Sequence, residues 1–180
     1  MNLLAASVPL ADLAENGHAA RELLLPAAYL KHVITRYSVR TVINLRGPAP
    51  NEAWYRGEVA TCQALGVTHH DLAWMMSALP PPDSLAQFVA WCEHAEKPIL
   101  VHCQGGVHRS GVGAAVYLLM TGATVEEART QFGLFFNNAP IGKLLDLYET
   151  DEHGAGLPFA EWVRTRYPAI YRPSSPTPHR

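Results

Sequence analysis

The sequence predicts an α/β fold, a single domain in which a central, mostly parallel sheet is flanked by helices. Three observations predict it. Short β-branched runs alternate with longer helical segments through the middle of the chain, the order that builds a parallel sheet covered on its faces. At 180 residues and 48% apolar content, the chain can bury one sizeable core. Third, the stretch PILVHCQGGVHRSG, Pro98 to Gly111, runs from a strand through a glycine-containing loop into a helix.

The elements follow in order. A helix is predicted over 26–37, where Pro26 suits a first helical turn, and RTVINL, 40–45, is a β-branched strand. Asn51 reads as the N-cap of EAWYRGEVATCQALG, with Trp54, Val59, Cys62 and Leu65 on the inward face and Gly66 as the stop. The strand VTHHDL, 67–72, leads into the loop AWMMSALPPP, after which Asp83 caps the helix SLAQFVAWCEHAE. Ile99-Leu100-Val101 is the strand into the glycine loop, and the helix beginning near Ser110 is apolar nearly all round. Thr124 and Glu127 form a capping-box start to VEEARTQFGLFF, with further helices over 141–152 and 158–166. Residues 1–168 are expected to form the domain. The remainder, 169–180, ends in RPSSPTPHR and has the composition of a disordered tail. There are no internal repeats.

The spacing from Cys103 to Arg109 makes a phosphate cradle. A short loop between strand and helix can curl so that successive N–H groups face one tetrahedral anion, assisted by the helix N-terminus. Gly105 and Gly106 permit the curl. Gln104, Gly105, Gly106, Val107 and His108 are therefore the phosphate-binding stretch, with Arg109 supplying a planar fork for two phosphoryl oxygens. Below the anion, Cys103 faces inward amides that favour its thiolate, the nucleophilic form.

A His-Cys pair, five residues, then Arg and Ser resembles the signature of the cysteine-dependent protein tyrosine phosphatase superfamily. That resemblance implies Cys103 as nucleophile, Arg109 as phosphate-binding arginine, Ser110 as the hydroxyl that eases breakdown of a phosphocysteine, and His102 as the residue that orders the loop from beneath. From roughly Val42 to Phe136 the chain resembles the compact dual-specificity branch. HHDL, the proline-containing loop and the EHAE helix end resemble the mitotic-exit dual-specificity phosphatases, whereas INLRG is closer to atypical bacterial and fungal members.

The resemblance departs from the family at the general acid. The aspartate that the family carries in the loop after the HHDL-like strand falls on Met76. Asp71, 32 residues before Cys103, is the first candidate for the role, although its place at a strand end also fits a hydrogen-bonding role. Asp83 is a second candidate that reads equally as a helix cap, and the third reading has no dedicated carboxylic acid. Without one, substrates with good leaving groups, aryl phosphates or phosphoanhydrides, are favoured over alkyl phosphates.

Other residues carry two readings each. Trp74, Met75 and Met76 form either an apolar wall for an aromatic ring or loop packing, and His108 lines the rim or faces solvent. Arg46 either adds a positive charge to the site or pairs with Glu52 or Glu58. His69 and His70, adjacent on a strand, point to opposite faces, so with His102 and His108 they read as no metal cluster. No cofactor is expected. Cys62 and Cys92 read as core thiols, with pairing to an oxidised Cys103 as the alternative.

A net charge of −2 without a basic run argues against nucleic acid as a partner, and no segment approaches a membrane span. Three cysteines without a CxxC pair, and an N-terminus without a basic region, lead to a cytoplasmic location as the expectation. The expected partner is a phosphorylated protein or small molecule, and the expected activity is hydrolysis of phosphotyrosine-like or other phosphomonoesters. The alternatives are an inositol phosphate or pyrophosphate phosphatase, a rhodanese-like sulfurtransferase, or a non-catalytic phospho-binding pseudophosphatase. The loop's lack of lysine weighs against a highly phosphorylated ring lipid, and the long helical region after the loop, with Arg109-Ser110 intact, weighs against the sulfurtransferase.

Overall fold

The computed structural model describes residues 3–5 and 27–173. Four strands, β1 (Leu3–Ala5), β2 (Thr41–Asn44), β3 (Thr68–Asp71) and β4 (Ile99–His102), form one sheet in the order β1-β4-β2-β3, with every pairing parallel. Asn44 is in register with Asp71 on one side and His102 on the other, so β2, β3 and β4 finish level. β2 and β4 are buried throughout, as central parallel strands must be, whereas edge strand β3 is half-exposed and reads as the polar THHD. β1 has no counterpart in the sequence reading. Three residues are too few for a periodic signal, and pairing with β4 defines the strand.

Alternation along the strands splits the core in two. Val42 and Leu100 join Leu30, Ile34 and Cys62 beneath α1 (Ala27–Tyr37) and α2 (Ala53–Ala64). Ile43 and Val101 face the opposite side, where α3 (Pro82–His94), α4 (His108–Met120), α5 (Val125–Arg129), α6 (Lys143–Thr150), α7 (Phe159–Thr165) and α8 (Tyr167–Ile170) gather around Phe88, Val112, Val116 and Trp162. Each such side chain taken out of water contributes about 1.5–3 kcal/mol before entropy is counted.

Several local expectations change. Pro26 lies outside the described residues, and the first helix is described from Ala27. Glu52, extended at φ −89° and ψ 134°, occupies the α2 N-cap in place of Asn51, whose carbonyl instead accepts from Arg56 Nη1 at 2.8 Å. The buried residues of α2 are Glu58 and Cys62, while Trp54, Val59 and Leu65 are only half-buried. Pro81 takes the N-cap of α3, leaving exposed Asp83 in the first turn, where its charge suits the helix dipole. α4 begins at His108, two residues early.

The capping box forms in both directions, Glu127 N–H to Thr124 Oγ1 at 3.1 Å and Thr124 N–H to Glu127 Oε2 at 2.7 Å. α5 nevertheless ends at Arg129 rather than near Phe136. Phe132 and Phe136 stack at 3.9 Å, and Asn137 and Asn138 adopt left-handed φ, which takes the chain out of helix. A 3₁₀ turn, Pro140–Gly142, then precedes α6. α8 crosses the expected boundary at 168 with Tyr167 fully buried, and the tail from 174 onward lies outside the described residues. No helix among the described residues is long and apolar enough to cross a membrane.

Candidate active site

β4 delivers Cys103 to the carboxyl edge of the sheet, where open parallel sheets place their ligands. The chain then curls through Gln104 and Gly105, and Gly106 takes a φ of 64° that a side chain would strain. Val107 is the N-cap of α4. Only 7% exposed, Cys103 has its Sγ 3.4 Å from Ser110 Oγ. Burial alone would push the thiol up. The Ser110 hydroxyl and N–H, the Arg109 guanidinium and the Gly105 N–H outweigh burial and hold it below the ordinary thiol value.

Arg109 is held by two loops. Its Nη1 donates to the carbonyls of Leu45 and Trp74 at 3.5 and 3.3 Å, and the fork keeps further donors on its other nitrogens. The loops are themselves joined by an antiparallel bridge between Arg46 and Ala73, at which Gly47 has φ 87° and an added Cβ would lie 2.9 Å from that of Ala73.

A polar band runs beneath this edge on the α1/α2 side. His102, 3% exposed, has Nε2 2.9 Å from Glu58 Oε1, and the same oxygen is 2.8 Å from His69 Nε2. Burial of Glu58 would raise its pKa, but the two histidine hydrogen bonds and their charge bring it down to about 2. Next along the band, Asp71 accepts from Asn44 Nδ2 at 2.7 Å and from the Tyr55 hydroxyl at 2.6 Å. Hydrogen bonding to Asp71 pushes the Tyr55 phenol up to about 12. Asn44 also donates to the Gly47 carbonyl and accepts from the Arg46 N–H, which ties the band to the loop beside Arg109.

Glu58 is the residue that the sequence reading missed. Its spacing from Tyr55 (i+3) and to Cys62 (i+4) placed it on the sheet-facing stripe of α2, and that was the available signal. His70 points the other way from His69 and stacks on Trp91 at 4.1 Å. Among the described residues no group of three His, Cys, Asp or Glu side chains is placed to hold a metal ion.

A model of the family described as the Swiss Army Knife protein, DSP-PTPase phosphatase domain (PTP-SAK), matches residues 28–140. The chain belongs to this family. Human dual specificity protein phosphatase CDC14C is 31% identical over 94 residues, 52% of this chain and 19% of that protein, so the chain spans about a fifth of that relative's length. The crystal structure of Tk-PTP in the active form overlays with a TM-score of 0.52 at 18% identity, covering 78% of this chain and 88% of the other. The core catalytic domain of PP-IP phosphatase SIW14 from S. cerevisiae, in complex with citrate, also gives 0.52 at 18% identity, over 69% and 77% of the two chains. At that identity the two structures speak for the fold.

Met76 is exposed, with its carbonyl accepting from Ile141 N–H at 3.2 Å. Asp71 has both oxygens taken as acceptors, the hydrogen-bonding role that a strand end favours. Its Cα lies two strands from His102, roughly 10 Å at ordinary strand spacing. Trp74 is core rather than wall, fully buried against Phe88 with Nε1 donating to Ser84 Oγ at 2.8 Å, while Met75 and Met76 stay exposed. His108 is half-buried, its ring 5.6 Å from that of Phe136.

Arg46 Cζ lies over the Trp54 ring, 3.5 Å from its centroid, and the guanidinium forms no ion pair with Glu52 or Glu58. All three thiols are free. Cys62 is on the opposite face of the sheet from Cys103, and burial pushes it up to about 12. Cys92 shares the Cys103 core, but α3 runs back to the start of β4, which leaves the two about one strand length apart, roughly 13 Å, too far for a disulfide.

Proposed function

We propose that this PTP-SAK domain is a cysteine-dependent phosphatase for phosphoryl groups carried on good leaving groups, as in phosphotyrosine-like aryl esters and phosphoanhydrides. The observation that carries the reading is the buried Cys103 thiol at the foot of the curled loop, 3.4 Å from Ser110 Oγ and beside the loop-anchored Arg109. In the first step the Cys103 thiolate attacks phosphorus, the P–S bond forms, and the ester oxygen leaves with the electron pair of the broken P–O bond. Loop amides and the Arg109 fork hold the equatorial oxygens as charge spreads over them. In the second, water attacks phosphorus, the thiolate departs with the P–S electrons, and the Ser110 hydroxyl stabilises it. The intact set of Cys103, Arg109 and Ser110 supports turnover over mere phosphate binding.

His102, held by Glu58, orders the loop and does not touch phosphate. Asp71 acts as a positioning residue, bracing Asn44 and through it the loop that carries Arg46. With Met76 where the family carries an acid, the leaving oxygen departs without a dedicated proton donor. Turnover of an aryl phosphate series should then fall steeply as the leaving-group pKa rises, and Asp71→Asn should leave that slope unchanged. A slope that is shallow in the native protein and steepens in Asp71→Asn would make Asp71 the general acid instead.

A further inference from the structure

Arg46 answers to nothing in the hydrolysis just described. Alternation along β2 and past its end puts Leu45 with the core on the α3/α4 side, where Cys103 also lies, and Arg46 on the α2 side, against Trp54 in the first turn of that helix. Its backbone is pinned twice, by its N–H to Asn44 Oδ1 at 2.9 Å and by the bridge to Ala73. The neighbours of that bridge, Leu45 and Trp74, are the residues whose carbonyls hold Arg109. Two guanidinium groups therefore flank one loop from opposite sides. Burial and then the Arg109 charge lower the proton affinity of Arg46, while Glu58, Cys103 and Glu52, in that order, raise it.

Two like charges in a half-buried place repel, and such an arrangement is tolerated where an anion is to be bound. Ion pairing does not neutralise Arg46 among the described residues. Contact with the indole face holds the guanidinium in place before any ligand arrives, so little side-chain entropy is lost on binding.

We propose that Arg46 and Trp54 form a second anion subsite, on the α2 side of the cradle, which reads a phosphoryl group adjoining the scissile phosphate. The preferred substrate then carries two neighbouring phosphates, as a phosphoanhydride or a vicinal bisphosphate does. The inference rests on the phosphatase reading and deepens it. An anhydride oxygen is also a good leaving group, consistent with a site lacking a dedicated acid.

The test uses the full chain carrying Cys103→Ser, titrated with inorganic phosphate and with inorganic pyrophosphate by calorimetry. Pyrophosphate is expected to bind about tenfold tighter or better, the scale of one charge-assisted contact. Adding Arg46→Gln should erase that preference. Arg46→Lys, which keeps the charge but not the planar fork of donors, should retain part of it, as should Trp54→Leu, and thermal melts report whether each variant folds. Equal binding of the two anions with Arg46 present, or a preference undiminished in a folded Arg46→Gln protein, overturns the subsite and leaves the cradle standing. If neither anion binds, the cradle falls, and the subsite with it.

Discussion

Replacing Cys103 with serine is expected to lower turnover of p-nitrophenyl phosphate by about four to six powers of ten, the scale seen when a covalent nucleophile is removed. Serine keeps the shape of the loop but has no thiolate to offer at neutral pH. The hydroxyl and N–H groups that hold the Cys103 thiol below its ordinary value act on sulfur, and an alcohol starts too far above neutrality for the same interactions to ionise it. Phosphate binding should survive, because the loop amides and Arg109 are untouched. Steady-state kinetics on the variant, with calorimetric titration of phosphate, check both halves. Residual hydrolysis near the native rate would remove Cys103 from the mechanism.

The second large effect falls on a residue that never meets substrate. Glu58→Ala should destabilise the fold by about 3–5 kcal/mol, the usual consequence of removing one partner from a buried ionic cluster. The loss strips His102 and His69 of their common acceptor at once. It also has a pH signature. The Glu58 carboxyl is held at about 2 in the folded protein against an ordinary 4.5, so its contribution is fully present above about 4.5 and is lost as pH falls from there towards 2. Denaturant melts should show native stability falling through that window and the difference from Glu58→Ala closing as it does. Glu58→Gln, which keeps an acceptor oxygen without the charge, should lie between the two. Because His102 precedes Cys103, folded Glu58→Gln should also turn over more slowly, through a less ordered loop.

What the sequence made legible is what depends on neighbours in the chain. The strand-loop-helix around Cys103 could be read because an anion cradle needs its glycine, cysteine and arginine within one turn of backbone, and the Thr124 capping box because it closes over three residues. Strand alternation likewise separates His69 from His70, and the two rings do face opposite sides.

Long-range choices were hidden. A charged residue on a helix normally faces water, so nothing local marks Glu58 as the anchor of His102, 44 positions later. Trp74 looked available to a ligand until Phe88 and Ser84, from α3, were brought against it. The early end of α5 goes with the stacked Phe132 and Phe136 rings packing against Gly142 of the 3₁₀ turn, a contact from beyond the predicted helix that overrides helix propensity. For Arg46 the sequence left open an ion pair or a place beside the cradle, and only the position of Trp54 separates them.

Acid quench of the native protein during turnover of a radiolabelled aryl phosphate, followed by peptide mapping, tests the central claim most directly. Label should appear on the peptide carrying Cys103, reach a steady level within the first turnovers, and disappear when substrate is exhausted. Full turnover with no label on Cys103, or label carried by Ser110 or His108 instead, would contradict a phosphocysteine pathway.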